Sequence, residues 1–507
     1  MKAATSRLLA ALLIPAAIFV AYAGRSANFG YFFNSDFVQG YMVGEALFVD
    51  PRALLDWYHS PASFVFPDWL LAGAMAVAWP GSDRLLPLLY AVALLAAYSA
   101  AGAALLQHTT AMPARAAAWL FAAVAVVAAV AAPAPAGTPM SSHWLFITGS
   151  AAYIHTGAML LTLVSAILLA KLLRDGSPAA AWLLIGLCAA ATFSDALFLV
   201  WFVAPAAVVL VLAAWADRTM RWALAAAIVG AVAVLARVAE LVLRGGSSLA
   251  SLDRVSPREA VRLFVGDTWA AIAHGDVGFI LLALLVPVIL VRGALITIDM
   301  LRGRSQSPLA LSELFLAGSI GAALLAPLAT GLYKEVWLMR YVLVVPVLVV
   351  TWTLQTLVAS ASMRVRRSIV YVGIAVTLLV GAVSARPAWH NVQELQRPSP
   401  LESCLTELRR DTGIGDYWSA KGLMFTSHRR IHVIQVDATG APFRVNYNRQ
   451  WFHRHAGTGA PLRPDFIIMA RLDPAQIEKR FSRPQAVVDC AGQQIWLYER
   501  PIDFRPD

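Results

Sequence analysis

Several short runs in this chain hold residues able to do acid–base or phosphate chemistry at a lipid surface. Asn34-Ser35-Asp36-Phe37 places a carboxylate shortly after the first apolar segment. A carboxylate there can take the proton of an acceptor hydroxyl, or bind a metal that neutralises a lipid phosphate. It can equally cap the helix that follows. Phe66-Pro67-Asp68-Trp69 offers a second carboxylate or a helix cap beside proline, and His59-Ser60-Pro61 precedes it with an imidazole. Ser142-His143-Trp144 and Tyr153-Ile154-His155-Thr156 add two imidazoles. Such rings pass protons, bind phosphate when protonated, or simply hydrogen-bond at a headgroup boundary. Thr192-Phe193-Ser194-Asp195 interrupts the otherwise apolar stretch 180–214. An ionisable group in that setting faces protein or water, or marks a short turn between two spans. Tyr333-Lys334-Glu335 and Arg340-Tyr341 bring two cations that can hold a phosphate, or snorkel to headgroups with a local Lys334–Glu335 pair.

The elements that must position these residues follow from composition. Of the 507 residues, 59% are hydrophobic and only 14% charged. The 122 residues from Arg386 onward carry 30 charged side chains, and the 385 before them carry 40. An ordinary soluble domain is roughly one quarter charged, so only the C-terminal part has a soluble composition. A single soluble globule, a disordered chain and a coiled coil are excluded. The expected architecture is an α-helical polytopic membrane protein over 1–385 with a small α/β domain over 386–507. Apolar segments near 1–22, 85–106, 116–132, 153–171, 180–193, 196–214, 222–243, 278–298, 309–330, 336–360 and 368–385 give about eleven transmembrane helices. Segment 67–79 is short and reads as juxtamembrane or partly inserted. Residues 24–84 form the first external loop, with helices lying on the membrane surface.

Charge asymmetry sets the orientation. With the N-terminus inside, the cytoplasmic pieces hold Lys171 and many arginines but only three acids, Asp175, Asp217 and Asp299. The opposite face receives 24–84, 133–152, 244–277, 331–335 and the C-terminal domain, and with them nearly all loop carboxylates. This is the positive-inside pattern. It places the chain in the plasma (inner) membrane, multi-pass, with the C-terminal domain extracytoplasmic, on the periplasmic side. The net charge of +10 forms no long basic stripe, so it belongs to these loops and no nucleic acid partner is expected. Cys188 lies in an apolar segment, whereas Cys404 and Cys490 bracket most of the soluble domain and are its natural disulfide pair in an oxidising compartment.

Within that domain, 401–410 reads as an amphipathic helix, and Ile431–Val436, Phe466–Met469 and Gln494–Tyr498 read as strands. Asp416-Tyr417-Trp418, Lys421, His428-Arg429-Arg430 and the run Asn446–Phe452 interleave aromatic rings with amides and cations. That mixture suits a carbohydrate surface, and equally a core with a polar rim. The chain holds no zinc spacing, phosphate-binding glycine loop, nucleophile elbow or dinucleotide fingerprint.

The order of one helix, a long external loop with an early Asp36, and a proline-containing loop exit resembles GT-C glycosyltransferases. So do Pro67-Asp68-Trp69-Leu70-Leu71, Ser82-Asp83-Arg84-Leu85-Leu86-Pro87, and the run Gly186-Leu187-Cys188-Ala189-Ala190-Ala191-Thr192-Phe193-Ser194-Asp195. Many relatives carry a lysine after the threonine of that last pattern; here Ser194-Asp195 stands instead. The resemblance covers about residues 1–385. It implies a polyprenyl-phosphate-sugar donor, a glycan, lipid or protein acceptor, and an acidic residue of the first external loop as base or metal ligand. Asp36 matches that residue by position, with Asp68 as a second carboxylate. Lys334 and Arg340 then substitute for the missing lysine as donor-phosphate ligands, with His143 and His155 as further phosphate ligands and Asp195 as another candidate. A divalent cation, Mg or Mn, is the one cofactor the scheme admits. A transporter or flippase of a lipid-linked saccharide would show internal repeats and midplane polar sites, whereas the polar runs here gather at one face. A non-catalytic envelope-assembly protein, docking through its C-terminal domain, is the third reading.

Overall fold

A chain segment in hydrocarbon must satisfy its own backbone, so the apolar stretches can only be helices or a closed barrel. In the computed structural model they are helices. The structure describes residues 2–29, 32–58, 64–110, 112–130, 141–150, 155–243, 254–304 and 306–506, with the side chains of 2–8, 53, 243 and 337 set aside. The runs at His59-Ser60-Pro61 and Tyr153-Ile154 lie outside the described residues. In chain order the helices are α1 (Lys2–Ala23), α2 (Ser35–Val49), α3 (Leu70–Ala78), α4 (Leu86–Thr109), α5 (Ala114–Val130), α6 (Ser142–Ser150), α7 (Thr156–Asp175) and α8 (Pro178–Ser194). They continue with α9 (Ala204–Asp217), α10 (Met220–Leu243), α11 (Pro257–Ala273), α12 (Val277–Leu301), α13 (Pro308–Ala329), α14 (Val344–Ser360) and α15 (Met363–Gln396).

Among the described residues, eight helices are long and apolar enough to cross a membrane; α1, α5 and α8 supply shorter apolar stretches at the other expected positions. The outward faces of the bundle are apolar: Leu284 on α12 is 64% exposed and Val383 on α15 is 65% exposed. Contiguous apolar surface of that kind is stable in lipid and not in water. Two stretches differ from expectation. The segment 244–277, read as a loop, contains α11, which starts at a serine cap: Ser256 accepts from the Glu259 N–H (3.2 Å), with Pro257 in the first turn. The last long helix passes residue 385 and stops at Gln396, just before Arg397-Pro398, where proline disfavours a helical predecessor. The extension is held by Asn391, whose Nδ2 donates to the carbonyl of Ala23 at the end of α1 (2.9 Å).

The C-terminal domain contains α16 (Pro400–Glu407), β2 (Thr412–Asp416), α17 (Tyr417–Thr426), β3 (His432–Val436), β4 (Tyr447–Asn448), β5 (Phe466–Ile468), α18 (Pro474–Phe481), β6 (Ala486–Cys490) and β7 (Gln493–Leu497). Five strands form a sheet in the order β3-β2-β5-β7-β6, with β2 parallel to β3 and β5 and the other pairs antiparallel. Helix α17 is the crossover that parallel β2 and β3 require. The disulfide Cys404–Cys490 ties α16 to β6 across 86 residues, with Cα atoms 5.8 Å apart. Closing a loop of that length stabilises a fold by about 4–5 kcal/mol in the chain-entropy model. The Cys404→Ser, Cys490→Ser double variant is therefore expected to unfold this domain at much lower denaturant, read by tryptophan fluorescence. An unchanged midpoint would show that the bridge adds nothing.

Residues 24–84 do not lie as separate surface helices. Strand β1 (Trp57–Tyr58) pairs antiparallel with β4, and Trp57 meets Trp451 edge-on at 4.9 Å. Arg84 joins Glu402 at 2.5 Å and donates to the carbonyls of Thr426 and Gln396 (both 3.0 Å). Arg429 pairs with Glu45, and His428 with Asp83 at 2.8 Å. The first loop and the C-terminal domain are thus joined by buried rings and several ion pairs.

Candidate functional site

Asp36 is placed by its own helix start. The Asn34 side chain accepts from the backbone N–H of Asp36 (3.0 Å) and of Phe37 (3.1 Å), which fixes Asp36 in the first turn of α2. Helix α17 then closes on this turn. A Cβ at Gly422 would lie 2.0 Å from the carbonyl oxygen of Phe33, so only glycine permits the approach. The Tyr417 hydroxyl donates to Oδ1 of Asp36, and the Ser35 hydroxyl donates to the Tyr417 carbonyl. Asn446 Nδ2 in turn donates to the Tyr417 hydroxyl (3.1 Å). Beneath them Lys421 is fully buried; its Nζ donates to Gln39 Oε1 (3.1 Å) and the Asn446 carbonyl (2.9 Å) and lies 4.4 Å from the Tyr417 ring centre. Trp418 packs edge-on against Tyr417 at 4.9 Å and is 41% exposed. The polar and aromatic run read from the sequence as a carbohydrate surface or a polar rim therefore includes the partners of Asp36.

Burial pushes the Lys421 amine down to about 7, against the pull of the Asp36 charge. Between pH 7 and the ordinary lysine value, the unfolded chain holds a proton that the folded chain has released. Stability therefore rises with pH across that window, by at most about 1.4 kcal/mol per pH unit. Denaturant titrations at successive pH values above neutrality should show this slope in the wild type and lose it in Lys421→Met. A wild type with no excess slope over the variant would mean that the amine stays charged throughout.

A second, buried cluster forms at one end of the helix bundle. Asp68 lies in a wide helical turn, Val65–Trp69, just before α3. Its Oδ1 accepts from Tyr90 Oη (2.8 Å), Thr156 Oγ1 (2.9 Å) and the Gly157 N–H (3.1 Å). A Cβ at Gly157 would meet Asp68 Oδ2 at 2.3 Å, so glycine is required for the carboxylate to sit against α7. His155, immediately before α7, places Nδ1 2.7 Å from Asp195 Oδ2, with both side chains buried. Asp195 Oδ1 also accepts from the Leu197 N–H (3.0 Å), holding the turn after α8. The His155 ring is flanked by Phe64 (5.2 Å), Tyr341 (5.9 Å) and Trp201 (6.1 Å). The Arg340 guanidinium lies 5.5 Å from the centre of the Tyr341 ring, and its buried Nε has no hydrogen-bond partner among the described residues. Trp201 Nε1 pins this segment by donating to the Tyr341 carbonyl (3.1 Å).

The sequence-selected residues therefore separate into groups. Asp68, His155, Asp195 and Arg340 gather where α4, α7 and α14 begin and α8 ends. Asp36 belongs with the C-terminal domain, connected to the buried cluster through Tyr41 of its own helix, whose ring meets Tyr90 edge-on at 6.1 Å. His143 sits on α6, which packs against the segment Val336–Val342 that carries Arg340. Neither His143 ring nitrogen has a partner among the described residues; burial and then Arg25 hold its ring below the ordinary imidazole value, against the pull of Asp276. Lys334 is half-buried beside Tyr333, whose hydroxyl donates to Asp267 Oδ2 on α11 (2.6 Å). Among the described residues, no three His, Cys, Asp or Glu side chains come together to hold a metal. Thr156 ended the selected run Tyr153-Ile154-His155-Thr156 without a role of its own, and Tyr90 carried no signal in the sequence, since it looks like an ordinary helix residue until α3, α4 and α7 meet. No family model and no curated protein matches the chain.

Proposed function

We propose that this protein is a membrane glycosyltransferase of the GT-C type, moving a sugar from a polyprenyl-phosphate donor to a glycan, lipid or protein acceptor at the extracytoplasmic face of the plasma membrane. The observation that carries the reading is a pair of polar groups linked through the Tyr41–Tyr90 ring contact. One is a half-buried carboxylate, Asp36, oriented by a tyrosine; the other is the half-buried Arg340, whose buried Nε has no hydrogen-bond partner among the described residues, near the His155–Asp195 pair. The donor's lipid tail stays among the helices while its sugar phosphate reaches these groups. The acceptor oxygen attacks the anomeric carbon and gives its proton to Asp36; the carbon–oxygen bond to phosphate breaks, and the electron pair leaves with the phosphate, whose charge Arg340 stabilises. Asp68 acts through packing, since its Oδ1 is committed to three donors.

The test is direct. Purified protein is incubated with polyprenyl-phosphate hexoses and pentoses together with envelope extracts as acceptor, and free polyprenyl phosphate is measured. Donor-dependent release with incorporation of sugar into the acceptor is expected. Failure to release polyprenyl phosphate from any of these donors counts against the transferase, and movement of intact lipid-linked saccharide across vesicles would favour a flippase.

A further inference from the structure

Away from Asp36, the C-terminal domain has a cleft of about 460 Å³ whose charge is mostly positive. Arg429, Arg430, Arg463, His428 and His455 line it, with Asp411 as the single acid. Three of these side chains are held by acids: Arg429 by Glu45, His428 by Asp83 at 2.8 Å, and Arg430 by Glu402 at 3.2 Å. Two donors remain uncommitted. Arg463 is exposed and makes no ion pair among the described residues. His455 is buried, and its Nδ1 accepts from the N–H groups of Gly457 (3.1 Å) and Thr458 (3.3 Å). That arrangement puts the ring proton on Nε2, which has no partner among the described residues.

We propose that this cleft binds an anionic saccharide, a sugar unit bearing a phosphate or a carboxylate. The guanidinium of Arg463 and the Nε2–H of His455 supply charge-assisted donors for the anion. A bare anion would leave most of the cleft empty and would face the Asp411 carboxylate. A ligand with hydroxyls uses that carboxylate as an acceptor, with Thr412 and Thr458 as further hydroxyl partners. Glu45 and Asp83, which come from the first loop, hold two of the lining side chains in place. The site is separate from the Asp36 and Arg340 groups, so it stands whether or not sugar transfer is found.

Purified full-length protein is titrated by calorimetry with glucose 6-phosphate, glucuronate, glucose and inorganic phosphate. Binding of at least one anionic sugar is expected, at least tenfold tighter than both glucose and inorganic phosphate, and the better of the two identifies the anion. Arg463→Ala, an exposed change with no ion-pair partner among the described residues, should weaken that binding at least tenfold. His455→Gln should weaken it too, and Asp36→Asn should leave it unchanged. The proposal is overturned by any of three results: neither anionic sugar binds at millimolar concentration, glucose or inorganic phosphate binds as tightly, or Arg463→Ala binds as the wild type does.

Discussion

Asp36→Asn is expected to lower sugar transfer by about 10²–10⁴-fold, the usual loss when a general base is removed. Membrane insertion and docking of the C-terminal domain should persist. The substitution is nearly isosteric, and the amide oxygen can still accept the Tyr417 hydroxyl that now reaches Oδ1. What the amide cannot do is take a proton from an acceptor hydroxyl. The Asn34 cap and the glycine contact at Gly422 do not involve the carboxylate charge, so the first turn of α2 should stay in place. Release of polyprenyl phosphate, measured beside the unfolding midpoint, separates the two effects. A stable Asp36→Asn protein with near-normal turnover would remove the residue from the reaction. Asp68→Asn should behave the other way round. Its carboxylate is buried under three donors, so the change should lower stability along with activity, without a selective loss of turnover.

The helical membrane part was legible because apolar length is a local property, and each expected apolar stretch carries a helix at nearly the expected residues. The two differences have local causes too. Ser256-Pro257-Arg258-Glu259 is a helix-start signature that a reading based on hydropathy passes over, and the polar residues after Arg386 hide the last turns of α15. In the C-terminal domain, β3, β5 and β7 announced themselves through alternating or continuous apolar residues. Strand β2, Thr412–Asp416, did not, since its two glycines lower strand propensity and only its neighbours β3 and β5 hold it extended.

The assembly of the site was hardly legible, and the reason is distance along the chain. The Asp36–Tyr417 contact joins residues 381 apart, and Arg84–Glu402 joins residues 318 apart. No periodicity or spacing reports contacts of that range. Residue type picked out Asp36, Tyr417 and Lys421 as separate candidates, because carboxylates, tyrosines and lysines in aromatic company are unusual. Only the docking of α17 against α2 turns them into one group, in which the lysine is buried and the tyrosine aims the carboxylate. The same holds for His155 and Asp195, selected on separate grounds and 2.7 Å apart in the fold.

Arg340→Ala should raise the apparent KM for the polyprenyl-phosphate donor by about 10–100-fold, with insertion unchanged. A hydrogen bond to a charged group contributes about 1.5–3 kcal/mol, and each 1.4 kcal/mol is tenfold in affinity. The structure supplies the physical motive: a buried guanidinium nitrogen without a partner among the described residues is costly, and a phosphate oxygen is the acceptor that would relieve it. The guanidinium is held near Tyr341, and the Trp201 bond to the Tyr341 carbonyl fixes that segment, so donor binding needs little reordering of the side chain. Arg340→Lys should recover part of the loss, because an ammonium keeps the charge but not the planar fork. Lys334→Ala provides the comparison. If Lys334 shares the phosphate, its loss should add to that of Arg340; if it only anchors the helix end, the donor titration should match the wild type. An Arg340→Ala protein that binds and turns over donor normally would leave the phosphate to other side chains, and His143, whose two ring nitrogens have no partner among the described residues and whose helix packs against this segment, would be tested next.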